Sequence, residues 1–268
     1  MHEAVAMKYK IAFIGAGKMA EGILSAIPGK ADVIMAEKSA ARARDIKRRC
    51  GVAVTGEPAL AAKSARMVFL AVRPQDVDGV AAVVKPVLGP SHVLVSIVAG
   101  KTLAKLRRAF GSKARLVRVM PNLALRANAG MCAICASANA KKADVAAVGR
   151  ILGGAGRTVV LAERHFDAVT ALSGSGPAYF AYMAKAMADA GKALGLPADV
   201  ALLLSEQTMY GTAKFLLESA MPLEPFIDGV CTKGGTTAAG MERLAPSAFH
   251  EIVAATLAAA AERSKELA

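Results

Sequence analysis

Short, unbroken apolar runs recur along the first two-thirds of the chain, each bounded by Gly, Pro or Asn. They are Ile11 to Ile14, Val33 to Ala36, Met67 to Val72 (MVFLAV), Val93 to Val98 (VLVSIV) and Leu116 to Met120 (LVRVM). Continuous apolar strands separated by helical stretches are the pattern of a parallel sheet covered on both faces. Ala133 to Ser137 and Thr158 to Leu161 are expected to complete that sheet. A helix is expected from about Met19 to Ile27, and a strongly basic one follows the second run. After about Asp167 the pattern changes. Ala178 to Leu194, Ala201 to Glu218 and Phe249 to Leu267 read as helices, broken at Gly195-Leu196-Pro197 and Met221-Pro222-Leu223. No strand is expected beyond Leu161. The patterning therefore predicts an α/β domain over residues 1–164 and an all-helical domain over 165–268, with no internal repeat or low-complexity linker.

Composition adds limits to this outline. With 268 residues, 54% of them hydrophobic, the chain can bury one large core or two modest ones. Aromatic residues are 4% and tryptophan is absent, so alanine-rich helices packed closely are expected in place of an aromatic binding surface. No apolar run reaches the length of a membrane span, and MHEAVAMKYK is too short and polar for a signal peptide. It reads as an extension ahead of the first strand. Four cysteines do not make a disulfide framework in a chain of this length. Cys132 and Cys135 form a CxxC inside a strand, where residues three apart face opposite sides and can neither bridge nor share a zinc ion. No metal is expected, and the compartment is expected to be the reducing cytoplasm. His2, His92, His165 and His250 are scattered without partners at helical or metal spacing.

The net charge of +13 raises the question of an acidic partner. The basic residues are not gathered in a tail, and stacking aromatics and a basic stripe are missing, which argues against nucleic acid. Their densest run is Lys38, Arg42, Arg44, Lys47, Arg48 and Arg49. Arg44, Lys47, Arg48 and Arg49 read as a solvated helix face.

The strongest chemical signal is IAFIGAGKMAEGI, where Gly15, Gly17 and Ala20 form a G-x-G-x-x-A between a strand and a helix. The first glycine permits the tight turn and the second lets a pyrophosphate approach the backbone. The small third residue packs helix on strand. Ile14, Gly15, Ala16, Gly17, Lys18 and Met19 are thus expected to hold a dinucleotide's phosphates at the positive helix end. Glu37 falls at the end of the second strand, where a carboxylate bonds the ribose hydroxyls and repels a 2′-phosphate. Lys38, Ser39 and Arg42 follow directly and could clamp such a phosphate. The coenzyme choice stays open, leaning to NADPH with NADH possible.

Ala71, Val72, Arg73 and Pro74 (AVRPQ) and the SIVAG turn lie where strands run out, the place ligands occupy in open α/β sheets. Asn122 in RVMPN offers its amide to nicotinamide or substrate, or makes a turn. TALSGSGPAYF carries Ser173 and Ser175 in a glycine-rich loop before a long helix, with no strand ahead of it to make a nucleophile elbow. Late in the chain, CTKGGTTAAG precedes a stretch able to be helical. The N–H groups of Gly235, Thr236 and Thr237 would face outward there as an anion site, suited to a substrate carboxylate.

GAGKM, VRPQ, VRVMPN, ALSGSGPAY, GGTT and the closing ERSKEL, in this order and over nearly the whole chain, resemble Δ1-pyrroline-5-carboxylate reductases. The resemblance implies a Rossmann-type N-terminal domain followed by a helical domain that dimerises by interlocking with a partner. It implies hydride transfer from NAD(P)H to the ring C=N bond of the cyclic imine, giving L-proline in proline biosynthesis. Gly235, Thr236 and Thr237 would hold the carboxylate, with Thr237 also near the ring nitrogen. Glu163 would be a contact for that nitrogen, and Ser175 would lie close to the nicotinamide or substrate. The expected partners are a cyclic imino acid and at least one further copy of the chain, with neither nucleic acid nor membrane. Three departures stand out: Thr232-Lys233 replaces Ser-Pro before GGTT, Leu123-Ala124-Leu125 follows Pro121-Asn122 in place of TPA, and Glu37-Lys38 replaces Asn-Arg. They keep open a related cyclic imine or ketimine reductase, and a nucleotide-sensing protein without catalysis.

Overall fold

A computed structural model describes residues 7–268. The first six residues of the expected N-terminal extension, His2 among them, lie outside the described part. Eight strands form one sheet in the order β3-β2-β1-β4-β5-β6-β7-β8. They are β1 Tyr9–Ile14, β2 Val33–Ala36, β3 Ala53–Thr55, β4 Ala65–Leu70, β5 Val93–Ser96, β6 Leu116–Pro121, β7 Gly130–Ala136 and β8 Gly156–Val160. The helices between them are α1 Lys18–Ser25, α2 Ala40–Cys50, α3 Pro58–Lys63, α4 Val77–Val84, α5 Leu103–Phe110 and α6 Lys142–Gly153. The expected strands are all present, with ends moved by up to three residues, and no strand follows Val160 among the described residues.

Two features of the sheet differ from expectation. β3, half-buried at the sheet edge beside β2, was not foreseen. β7 runs antiparallel to β6, and β8 then runs parallel to β7, so the sheet is parallel through β6 and reverses at its far side. An apolar run buried on both faces looks the same in either direction, because composition records burial and not polarity of the chain.

Alternate residues of the strands feed two cores. Phe13, Met35, Phe69, Val95 and Val117 pack on one face, and Ala12, Ile34, Val68, Leu94 and Leu116 on the other. Phe13 and Phe69 are register partners whose rings stack at 4.9 Å. Cys132 and Cys135 divide between the two faces of β7, Cys132 in the core with Phe13 and Cys135 beside Phe166. Burial pushes both thiols up to about 12, with Glu163 adding to the effect at Cys135.

One buried ion pair ties α6 to the sheet. Arg115, just before β6, bonds the Asp144 carboxylate through Nη2 and, at 3.0 Å, through Nε. The same carboxylate accepts the Lys141 amide at 2.8 Å, closing the first turn of α6. Burial alone would raise the Asp144 carboxyl, yet the Arg115 hydrogen bonds, the Lys141 amide and the Arg115 and Arg66 charges together hold it below the usual carboxylate range. Removing one partner of such a pair strands a buried charge, so Asp144→Ala is expected to lower stability by about 3 kcal/mol in urea unfolding. A depressed carboxyl stabilises fully above its unfolded value of about 3.9 and loses that contribution as pH falls through its folded value. The wild-type minus variant difference should therefore shrink on acidification.

By internal contacts the chain divides into two units, one running through Ser175 with Ala260–Ala268 added, the other Gly176–Ala259. The first ends in α7 Phe166–Val169 and a π-helical turn at Thr170–Gly174. The helices that follow are α8 Gly176–Ala193, α9 Ala198–Ser219, α10 Leu223–Val230, α11 Thr236–Leu244 and α12 Phe249–Leu267. α10 was not expected, since Met221-Pro222-Leu223 read as a plain break. No single helix among the described residues is long and apolar enough to cross a membrane, and the α11–α12 pair, which would suffice by length, is bent by 57°.

Candidate functional site

The order 3-2-1-4-5-6 makes β1 and β4 neighbours whose connections leave on opposite faces, which opens a crevice at their carboxyl ends. A cleft of about 500 Å³ lies there. Ile14, Gly15, Ala16, Gly17, Glu37, Lys38, Ala71, Val72 and Arg73 line it, all of them expected from sequence. Lys18 and Met19 form the first turn of α1, Ser39 caps α2, and Pro74 begins the turn after Arg73. Gln75 closes the expected AVRPQ stretch on the cleft wall; Gly56 and Pro58 beyond β3, with Asp76, Gly79, Val80 and Val83 toward α4, also line the cleft and were not foreseen. The first pair was hidden because β3 itself was; the second would have followed from extending the β4 exit into the next helix.

The glycine turn fits a dinucleotide. Gly15 has φ +96°, and a β-carbon there would come within 2.5 Å of the Ala71 carbonyl oxygen. At Gly17 an added β-carbon would meet nothing within 4 Å, so that space faces the cleft and is open to a ligand. Gly17 caps α1 without a side-chain bond, leaving first-turn N–H groups for an anion.

Beside it, Glu37 is held in place. Its Oε1 accepts the Ser39 amide at 2.9 Å, and its Oε2 lies 4.0 Å from Arg42 Nε. Ser39 Oγ accepts from the Arg42 amide as the N-cap of α2. Arg42 turns back onto Ala16 and Glu21, so the Nε and Nη2 donors expected to clamp a phosphate are engaged within the protein, whereas Ser39 Oγ only accepts and keeps its O–H to donate. Arg49 also departs from the expected solvated face, reaching Glu21 at 3.0 Å and Asp45 at 2.8 Å. Both differences arise because α1 brings Glu21 alongside α2, a proximity the sequence does not display.

A second cluster in the first unit gathers around Arg118 of β6. Arg118, 4% exposed, donates to Glu163 Oε1 at 2.7 Å and lies over the Phe166 ring at 4.7 Å. Glu163 Oε1 also accepts the Leu103 amide at 2.7 Å. Asn122 does not line the cleft: its Oδ1 accepts the Met131 amide at 3.1 Å, and its Nδ2 faces Ser173 Oγ at 3.4 Å. Ser175 follows the π-helical turn, with its amide bonded to Thr170 O at 2.8 Å. π-Turns of this kind concentrate at functional sites.

The third group belongs to the helical unit. Thr232 O accepts the Gly235 amide at 2.9 Å, closing a turn in which Gly234 has φ +73°. This corrects one expectation: the Gly235 N–H is engaged in the turn, so the outward donors are those of Thr236 and Thr237 in the first turn of α11. Gly235 serves by lacking a side chain, since a β-carbon would come within 2.4 Å of Thr232 Oγ1. Lys233 sits at the turn's second position, before the glycine with positive φ, which is where proline is favoured. Lys233→Pro is expected to be accepted, raising stability by roughly 0.5 kcal/mol through the unfolded chain. A fall in melting temperature would show that the Lys233 side chain holds the loop.

Among the described residues no group of three or more His, Cys, Asp or Glu side chains converges to hold a metal. The four cysteines are free.

Comparison with known proteins adds to these observations. Residues 163–267 match the family model "Pyrroline-5-carboxylate reductase dimerisation", and residues 10–100 match "NADP oxidoreductase coenzyme F420-dependent". A pyrroline-5-carboxylate reductase of Arabidopsis thaliana is 35% identical over 267 residues, covering 98% of this chain and 96% of that protein. The structure of a pyrroline-5-carboxylate reductase from Coxiella burnetii superposes with a TM-score of 0.93 at 29% identity, covering 97% of this chain and 99% of that one. The Plasmodium falciparum pyrroline carboxylate reductase with NADP bound gives 0.84 at 28% identity, covering 98% and 99%.

Proposed function

The chain belongs to the pyrroline-5-carboxylate reductase family, and from that premise we propose how its own residues carry the reaction. The protein is an NAD(P)H-dependent oxidoreductase acting on a CH–NH bond, and it reduces 1-pyrroline-5-carboxylate to L-proline. The coenzyme supplies the hydride that the carbon of the ring C=N bond receives. Around that transfer the protein binds, orients and balances charge.

The cleft residues hold the coenzyme: the α1 N–H groups take the pyrophosphate, and Glu37 faces the adenosine ribose. Thr236 and Thr237 place their N–H groups at the start of α11, where the helix dipole favours the substrate carboxylate. The Thr237 hydroxyl, exposed and without a partner among the described residues, is free to bond the ring nitrogen. Glu163 keeps its Oε2 without a partner among the described residues, and with Ser175 it is assigned to the substrate side. Hydride addition is easiest once the nitrogen carries a proton, and the imine takes that proton from water. Orientation of two partners then supplies most of the rate.

The functional division into a coenzyme part over residues 1–164 and a dimerisation and substrate part over 165–268 is part of this proposal. The protein is a homo-oligomer by its dimerisation domain. We place it in the cytoplasm, supported by its four free cysteines. The proposed small-molecule partner is the cyclic imino acid; neither nucleic acid nor membrane is included.

The observation that carries the function is the full-length family match together with a glycine turn seated at the sheet's switch point. Purified protein should oxidise NADPH or NADH when 1-pyrroline-5-carboxylate is added. Turnover of a six-membered cyclic imino acid without the five-membered one would move the substrate to the ketimine class. Coenzyme binding without turnover of either would leave a nucleotide sensor.

A further inference from the structure

The glycine loop is gripped from behind by one side chain of α2. Arg42 donates to the Ala16 carbonyl twice, from Nε at 2.9 Å and Nη2 at 2.6 Å. Nη2 also meets Glu21 Oε1 at 2.5 Å, and the other oxygen of Glu21 holds Arg49. With Glu37 4.0 Å away, the guanidinium is set among carboxylates and fixed along its Nε–Nη2 edge. Lys38, by contrast, is exposed on the cleft wall and has no ion pair among the described residues.

The direction of the Ala16 carbonyl has a consequence one atom further on. In a planar trans peptide the C=O and the following N–H point opposite ways. Drawing the Ala16 carbonyl toward α2 therefore sends the Gly17 N–H away from α2. Ala16 and Gly17 both line the cleft, and Gly17 is the N-cap of α1. That N–H stands where a dinucleotide's pyrophosphate meets a helix start.

We propose that Arg42 is a positioning residue for the pyrophosphate site, acting through the Ala16–Gly17 peptide, and that the cation available to a 2′-phosphate is Lys38. The inference rests on the NAD(P)H reading above. Pyrophosphate is common to NADH and NADPH, so a residue that aims its donor acts on both alike. A residue that contacts the 2′-phosphate acts on NADPH alone. Arg42, although it sits where a phosphate clamp would be sought, belongs to the first kind.

The test measures coenzyme Kd by fluorescence on the full chain without imine, so it stands apart from any failure of the substrate assignment. Arg42→Met should weaken NADH and NADPH by the same factor, about tenfold each, leaving their ratio unchanged. Lys38→Met should weaken NADPH by about tenfold and leave NADH as it was. Arg42→Lys keeps the charge but cannot make the two-pronged bond to the carbonyl; it should weaken both by an equal, smaller factor, and it decides the case if Arg42→Met does not fold. Selective loss of NADPH in either Arg42 variant would overturn the proposal, as would unchanged affinities accompanied by a lower melting temperature. An unchanged NADPH affinity in Lys38→Met would remove the second half of it.

Discussion

Gly17→Ala is expected to fold as the wild type does and to lose coenzyme affinity by about 100-fold or more, whereas Gly15→Ala should lose both stability and coenzyme affinity. Gly17 has φ −74° and ψ 173°, backbone that alanine adopts freely, and its added carbon would touch no protein atom within 4 Å. The space it would fill is the one a pyrophosphate needs. At Gly15 the situation is reversed. Its φ of +96° strains any L-residue, and the added carbon would press on the Ala71 carbonyl at 2.5 Å. Neither side can retreat. The Gly15 amide is bonded to Ala36 O at 2.9 Å, and the Ala71 amide to Ile14 O at 2.8 Å. Backbone strain of about 1–3 kcal/mol plus the displaced strand end should lower the melting temperature by roughly 5 °C. Coenzyme titration and a thermal melt on the two variants check the pair; normal coenzyme affinity in Gly17→Ala would take the pyrophosphate away from this turn.

Thr237→Val should reduce kcat/KM for 1-pyrroline-5-carboxylate by about 100-fold while leaving the coenzyme Kd unchanged. The exchange keeps shape and backbone N–H, so the carboxylate donors of α11 survive and the hydroxyl alone is lost. A site built to bond a substrate nitrogen is left with that group unpaired once water is excluded, which accounts for about 1–3 kcal/mol in the transition state. Unchanged turnover would remove Thr237 from the nitrogen contact. A rise in KM at constant kcat would assign it to holding the ground state.

The parts of this molecule that were readable from sequence share a physical reason. Val33–Ala36 is observed at the expected position because an unbroken apolar run marks a strand covered on both faces, and Phe249–Leu267 because it is a long alanine-rich stretch without Gly or Pro. The glycine turn was readable because it constrains residue types at set spacing. What stayed hidden depends on contacts between distant segments. Ala53–Thr55 is too short and too exposed to stand out, and LEPFIDGV carries Pro225 inside the α10 helix it forms. The reversal at β7 leaves no mark on an apolar run. Arg42 showed its charge and its place after β2, but its partner Glu21 lies in another helix. Gly235 could be read as an anion donor only while the turn through Thr232 was unknown.

The helical unit buries few large side chains of its own. Ala184, Ala188 and Ala201 are covered, whereas Phe180, Tyr182, Leu203, Tyr210, Phe215 and Ile252 are exposed in the single chain. In a homo-oligomer such surface is where copies meet. Its folding is then a bimolecular equilibrium, and dilution acts as a denaturant. Enzyme assayed far below the dissociation constant of the oligomer would lose activity for reasons unrelated to its substrate, and its melting temperature would climb with protein concentration.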